Sequence, residues 1–79
     1  MKKFYFHLRS TDELVLDEEG AEFPGYPEAL REATLAARDI LIDAIKVGRA
    51  HVPQALVIAD GAGRELGAFK IAELLPKVG

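Results

Sequence analysis

Residues 27–48 read PEALREATLAARDILIDAIKVG, the one long helix-forming stretch in a chain of 79 residues. Neither Gly nor Pro interrupts Glu28 to Val47, and the dominant residues (Ala, Leu, Glu, Arg, Lys) are those that lose least freedom in a helix. Pro27 suits the first helical position, where a missing N–H costs nothing. Glu28 falls near the positive end of the helix dipole, and Lys46 and Arg49 near the negative end. Gly48 is placed to end the helix in a left-handed conformation. No Ser, Thr, Asp or Asn stands at the expected N-cap, so the sequence marks the end of the helix better than its start.

At about 100° per residue, Leu30, Ala33, Ala37, Leu41, Ala44 and Gly48 share one stripe. Ile40, Val47 and Ala36 flank it on one side, Thr34 and Ile45 on the other. This wide apolar face, rich in alanine, suits a helix that lies close on a sheet. The opposite face carries Glu28, Arg31, Arg38, Asp39, Lys46 and Arg49, with Glu32 and Asp43 at a margin. Leu35 and Ile42 fall within it, seven residues apart. Single exposed apolar residues are ordinary. Two at heptad spacing make a ridge, and with Arg38 and Asp39 they form a candidate contact surface for a second copy or another protein.

Working outward, Lys3 to Arg9 alternates. Phe4, Phe6 and Leu8 point one way, toward the helix; Tyr5, His7 and Arg9 point the other. Ser10, Thr11 and Asp12 make a turn, and Glu13 to Asp17 (ELVLD) reads as a second strand hairpinned to the first. An acidic turn, Asp17-Glu18-Glu19-Gly20, uses Gly20 for positive φ, and Ala21 to Phe23 resumes a short extended piece. Pro24-Gly25-Tyr26-Pro27 delivers the chain to the helix. Beyond a connector at His51, Val52 and Pro53, Gln54 to Asp60 (QALVIAD) is the most apolar strand and the expected centre of the sheet. Asp60-Gly61-Ala62-Gly63 signals a hairpin. Glu65 to Lys70 returns, with Gly67 weakening it or marking a bulge. Ile71 to Leu75 makes one helical turn before Pro76, and Lys77-Val78-Gly79 is an expected frayed end.

The order predicts an α+β fold: a two-layer β-β-α-β-β sandwich with one long helix on a mainly antiparallel sheet, residues 1–79 forming one domain. The helix should run about 30 Å and the strands about 20 Å, so the helix crosses diagonally or overhangs.

Composition narrows the function. The net charge is −3, from 10 Lys and Arg against 13 Asp and Glu, with the basic residues scattered. That opposes a nucleic-acid binder, which needs a basic face. Cysteine is absent, so neither a disulfide nor a thiolate metal site is available. A domain this small buries only about 60% of its unfolded surface, which leaves self-association as a source of stability. The N-terminal MKKFYFHLR has too short an apolar run for a signal peptide, and no stretch would span a bilayer; a cytoplasmic protein is the expectation.

The chemistry-bearing residues assemble no catalytic set. His7 between Tyr5 and Arg9 could meet an anion or small acidic group, but a single helix leaves the other sheet face open, and polar residues belong there. His51 has no spacing partner for a metal. Asp17, Glu18 and Glu19 are consecutive and lack the alternation of a calcium loop. Ser10 stands outside any Gly-x-Ser-x-Gly context, and Gly61-Ala62-Gly63 is no phosphate loop. No metal or cofactor is called for, and a non-enzymatic domain is the favoured class.

The ordered blocks Phe6-His7-Leu8-Arg9, Asp17-Glu18-Glu19-Gly20-Ala21-Glu22-Phe23, Glu28-Ala29 with Glu32-Ala33, and Asp60-Gly61-Ala62-Gly63-Arg64 resemble a family of very short alphaproteobacterial, rhizobial-type proteins known only as a domain of unknown function. The resemblance covers nearly the whole chain. It implies a bacterial, cytoplasmic, stand-alone domain and carries no activity. Pro24-Gly25-Tyr26-Pro27 replaces the acidic helix cap frequent in such chains. A second, weaker likeness is to HicB-like antitoxins, which also pass from strands through a Pro-Gly turn into a Glu-Ala helix. This chain is expected to lack their third strand before the helix and their DNA-binding segment. The resulting expectation is a protein-interaction domain, possible as a homodimer; the alternatives are an antitoxin-like partner of a small toxin and a small-ligand binder or enzyme using His7, Arg9 and the nearby acids on the face that Tyr5 shares.

Overall fold

The computed structural model describes residues 1–47 and 53–74. In chain order the elements are β1 (Lys2–Arg9), β2 (Leu14–Val15), β3 (Ala21–Phe23), α1 (Tyr26–Val47), β4 (Ala55–Asp60), β5 (Glu65–Lys70) and one 3₁₀ turn (Ile71–Leu74). Every strand pair is antiparallel, and α1 packs on the sheet, the expected α+β arrangement. The expectations placed on Gly48, Arg49, His51, Val52 and residues 75–79 lie outside the described residues.

β4 sits between β1 and β5. Its apolar run explains that place: Leu56, Val57, Ile58 and Ala59 are all buried, as a strand flanked on both edges and shaded on both faces requires. The Asp60 carboxylate shapes the turn into β5, its Oδ1 accepting the N–H of Ala62 at 3.0 Å and of Arg64 at 2.9 Å. The register slips between Ile58 and Ala59, where Leu66 is the extra residue of a bulge. Gly67 beside it has a separate reason: a β-carbon there would collide with the Tyr26 hydroxyl at the start of α1.

The second strand differs from expectation. It is broken in two, and both pieces pair with the outer edge of β1. Leu14 and Val15 lie opposite Arg9 and Leu8, and Ala21 to Phe23 opposite Phe4 to Lys2. Between them Tyr5, Phe6 and His7 face the five residues Leu16 to Gly20, two too many for a regular ladder. The excess loops out, and Gly20 closes the loop at φ 70°. So a third strand does precede the helix, contrary to expectation, although it adds no new position across the sheet.

The helix also sits differently. Its buried stripe is Ala29, Ala33, Ala37, Leu41 and Ala44, while Leu30 and Ile45, expected at or beside the stripe, are exposed. Four of these five residues are alanines. Alanines let the helix axis approach, and the large aromatic residues of β1 and β3 fill the space beneath. Phe23 lies 6.1 Å from Phe4 and 5.9 Å from Phe6 between ring centroids, a favourable spacing for aromatic pairs. α1 begins at Tyr26, with the Gly25 carbonyl accepting the Ala29 N–H at 3.2 Å; glycine is an acceptable N-cap. Beyond β5 the 3₁₀ turn folds back to bury Ile71 fully. Gln54 ties this end together: its N–H bonds the Arg9 carbonyl at 2.8 Å, its carbonyl the Ile71 N–H at 2.9 Å, and its side chain Thr11 at 2.9 Å.

Ala33→Leu should overpack the helix–sheet contact and cost about 1–3 kcal/mol, lowering the melting temperature by roughly 5–20 °C. Arg31→Leu, on the exposed side, should change stability by less than about 0.5 kcal/mol. Thermal melts followed by circular dichroism decide: equal losses in both variants would contradict the close approach.

Candidate functional site

The face of the sheet away from α1 carries Tyr5, His7 and Arg9, paired across β1 and β4 with Ala59, Val57 and Ala55. The sequence places these three residues on one open face, and the structure keeps them together there. The face is not simply a solvated polar surface. Val57 and Ala59 are only 3% and 2% exposed although no helix covers them. They form the floor of a groove of about 410 Å³, walled on the β2 side by Leu14 and Leu16 and on the β5 side by Glu65 and Gly63. Tyr5 and His7 stack along the floor with centroids 6.4 Å apart, and the Lys3 ammonium lies over the outer part of Tyr5, 5.9 Å from its centroid.

Arg9 is committed. Its guanidinium bonds the Glu65 carboxylate at 3.0 Å. Arg9 lies opposite Ala55 and Glu65 opposite Ala59, so with β4 between β1 and β5 this ion pair straps diagonally across the face. Both partners are about half exposed, so the strap contributes at most about 1 kcal/mol and can open for a ligand.

His7 is held by Asp17. The Asp17 N–H donates to His7 Nδ1 at 3.0 Å, which makes that nitrogen the acceptor and leaves Nε2 to carry the proton. The Asp17 carboxylate in turn occupies the gap in the β1 edge. Its Oδ2 accepts the Phe6 N–H at 3.1 Å, and its Oδ1 accepts the N–H of Glu19 and of Gly20, each at 3.2 Å. Burial alone would raise this carboxyl. The hydrogen bonds from the backbone N–H groups of Phe6, Gly20 and Glu19 outweigh it and hold the group below its ordinary value of 3.8.

The back of α1 holds the second surface. Leu35 and Ile42 are 48% and 51% exposed. With Ile45, Leu41 and Leu74 of the 3₁₀ turn they line a groove of about 480 Å³ that Arg38 and Asp39 border. Leu35 and Ile42, singled out by their heptad spacing, and the flanking Arg38 and Asp39 thus line one groove.

Several residues of both surfaces escaped the sequence. Leu14 and Leu16 were readable only as part of an apolar strand; that three apolar residues stand side by side at an exposed edge was the available signal. Asp17 reads in sequence as part of a solvated acidic turn, because the two partners that tie it to β1, His7 and Phe6, lie 10 and 11 residues away. Ile45 and Leu74 were missed because the wheel set Ile45 beside the buried stripe. Among the described residues no cluster of His, Asp and Glu could hold a metal ion, and no helix is long and apolar enough to cross a membrane.

One helix laid on an antiparallel sheet whose other face is grooved makes this a small α+β domain of open-faced type. The family described as Domain of unknown function (DUF6894) matches residues 3–72, and the chain belongs to it. No curated protein and no solved structure matches the chain.

Asp17→Ala should remove three acceptor contacts and cost on the order of 2 kcal/mol, or roughly 10 °C in melting temperature. The sign of the pH dependence follows from the lowered carboxyl: the stabilisation is full above the unfolded value of 3.8 and is lost as pH falls through the folded value below it. Melts of both proteins across that window should therefore converge in acid. A gap that persists there would assign the loss to packing instead.

Proposed function

We propose that the protein is a non-enzymatic interaction domain that pairs with a second copy through the back of α1. The observation that carries this reading is the exposed apolar ridge of Leu35, Ile42 and Ile45 beside a groove floored by Leu41 and Leu74. An apolar ridge set in a charged face is costly to leave in water and marks a contact surface. Arg38 and Asp39 are neighbours along the groove. A two-fold pairing of antiparallel helices can set the Arg38 of one copy against the Asp39 of the other, so the surface is self-complementary in charge as well as apolar. Three exposed apolar residues fall well short of the roughly 20–30 residues a side of a standard stable interface. The pairing is accordingly weak and concentration-dependent. The resemblance to short alphaproteobacterial chains supports a bacterial, cytoplasmic setting.

A second reading, an antitoxin-like cover for a small toxin, gains one observation: the third strand before the helix, Ala21–Phe23. It assigns the same ridge to a different protein rather than to a copy of this chain.

Light scattering over a micromolar to millimolar series should show growth of a dimer for the wild type. The double variant Leu35→Glu plus Ile42→Glu should stay monomeric while melting near the wild-type temperature, since both side chains are exposed. A wild type that remains monomeric throughout removes self-pairing and shifts the ridge to a heterologous partner.

A further inference from the structure

We propose that the groove on the open sheet face is a docking site for a basic, apolar peptide segment of a partner protein. The site lies on the far side of the sheet from the α1 ridge, so it stands independently of the pairing described above.

The shape comes first. A groove of about 410 Å³ falls in the size range of sites that hold an organic ligand or a few side chains, roughly 300–1,000 Å³. Its floor is Val57 and Ala59, and its wall is Leu14 and Leu16, both about half exposed. This is an apolar trough in a place where a one-helix domain would ordinarily present a wet, polar sheet face.

The charge decides the occupant. The groove is lined by four acids, Asp17, Glu18, Asp60 and Glu65, against Arg9 and the imidazole of His7, with the Lys3 ammonium over Tyr5 at its margin. Arg9 is bound to Glu65, which cancels both charges locally. Asp17 is turned to the backbone of Phe6, Glu19 and Gly20. Glu18 and Asp60 remain at the rim, acids in excess even with the Lys3 ammonium counted, and Asp60 spends one oxygen on its own turn. An anionic ligand would meet repulsion here. A wholly apolar occupant would leave these carboxylates covered and unmatched, which is costly. A segment that carries both apolar and basic residues satisfies both conditions. Its apolar side chains fill the trough between Leu16 and Val57, and its long Lys or Arg side chains reach the rim acids. Once a basic group arrives, Glu65 can exchange Arg9 for it at little cost, since the strap is solvent-exposed.

The test uses the intact protein and a dye-labelled short peptide of alternating leucine and lysine, read by fluorescence anisotropy and by amide shifts in NMR. Serine–lysine and leucine–glutamate peptides of equal length are the controls. Leucine–lysine should bind, with shifts concentrated at His7, Val57, Ala59 and Gly63, and with both controls at least about tenfold weaker. Leu16→Asp is the discriminating variant: it adds negative charge, so bulk attraction would strengthen binding, whereas loss of the apolar wall should weaken it about tenfold. Glu18→Lys should weaken it as well. Leu14→Asp, also at an exposed position, repeats the wall test should Leu16→Asp perturb the fold. Binding should survive Leu35→Glu plus Ile42→Glu, which separates this site from the helix ridge. Equal binding of serine–lysine, shifts centred on Leu35 and Ile42, tighter binding to Leu16→Asp, or no binding of leucine–lysine would each overturn the proposal.

Discussion

The hydrogen bond from the Phe6 N–H to the Asp17 carboxylate is a small contact on which the shape of one whole face depends. A strand edge must give each inward-turned N–H a partner, because an unpaired amide costs about as much as a lost hydrogen bond. At Phe6 the neighbouring strand is interrupted, and a side chain replaces the missing backbone carbonyl. The substitution frees the chain between β2 and β3 from the ladder. The loop from Leu16 to Gly20 can then carry two extra residues while the Phe6 N–H keeps a partner. The same aspartate fixes the His7 ring through its own N–H and holds the loop through Glu19 and Gly20. Leu16 therefore stands as a wall beside the sheet and does not continue a strand. An edge broken and twisted in this way is also a poor template for pairing with another sheet, which guards a small domain against aggregation.

A second constraint acts on the other face. Alanine dominates the buried side of α1, so the helix lies close to the sheet, but each alanine buries little apolar area. The core must be completed from the sheet side by Phe4, Phe6, Leu56, Ile58 and Phe69, and from the end of the chain by Ile71. Leu41 is the one large aliphatic residue of the described helix side chains that enters the seam fully. Leu30, Leu35, Ile42 and Ile45 are left outside. The helix's exposed ridge is thus a consequence of how its small residues pack as well as a candidate surface for a partner.

The parts of this fold that show in the sequence are those governed by local periodicity. Alternation in β1, the apolar run of β4, the turn residues at Asp60 to Gly63 and the helix itself follow from residue type and spacing, and their bounds fall within a residue or two of expectation. The parts that do not show depend on contacts distant along the chain. Glu13 to Asp17 has the composition of a strand, yet a carboxylate reaching across to Phe6 ends the pairing after Val15. The helical wheel gave the correct width of the apolar face but centred it toward Leu30 and Ile45, because hydrophobicity alone cannot say that a sheet will choose the smallest side chains to lie against. For the candidate surfaces the same division holds. Leu35, Arg38, Asp39 and Ile42 are four positions of one helix, so spacing alone brings them together. The groove above Val57 draws on β1, β2, β4 and β5, so only the strand pairing assembles it.

The two surfaces also differ in the kind of partner their physics admits. The helix ridge carries one residue of each sign, Arg38 and Asp39, side by side with apolar groups. Such a surface can satisfy itself under a two-fold axis, since every group finds its complement on an identical copy. The sheet groove cannot. Its border holds a surplus of acids, and two copies placed groove to groove would bring Glu18 and Asp60 against the same residues. Like charges facing each other across a partly desolvated contact are penalised heavily, so the acid surplus of this face opposes its self-pairing. The chain as a whole leans the same way, with acids in excess of bases. On the two proposals made above, one face would take an identical partner and the other a basic one, and since the faces lie on opposite sides of a two-layer fold neither occupant would block the other.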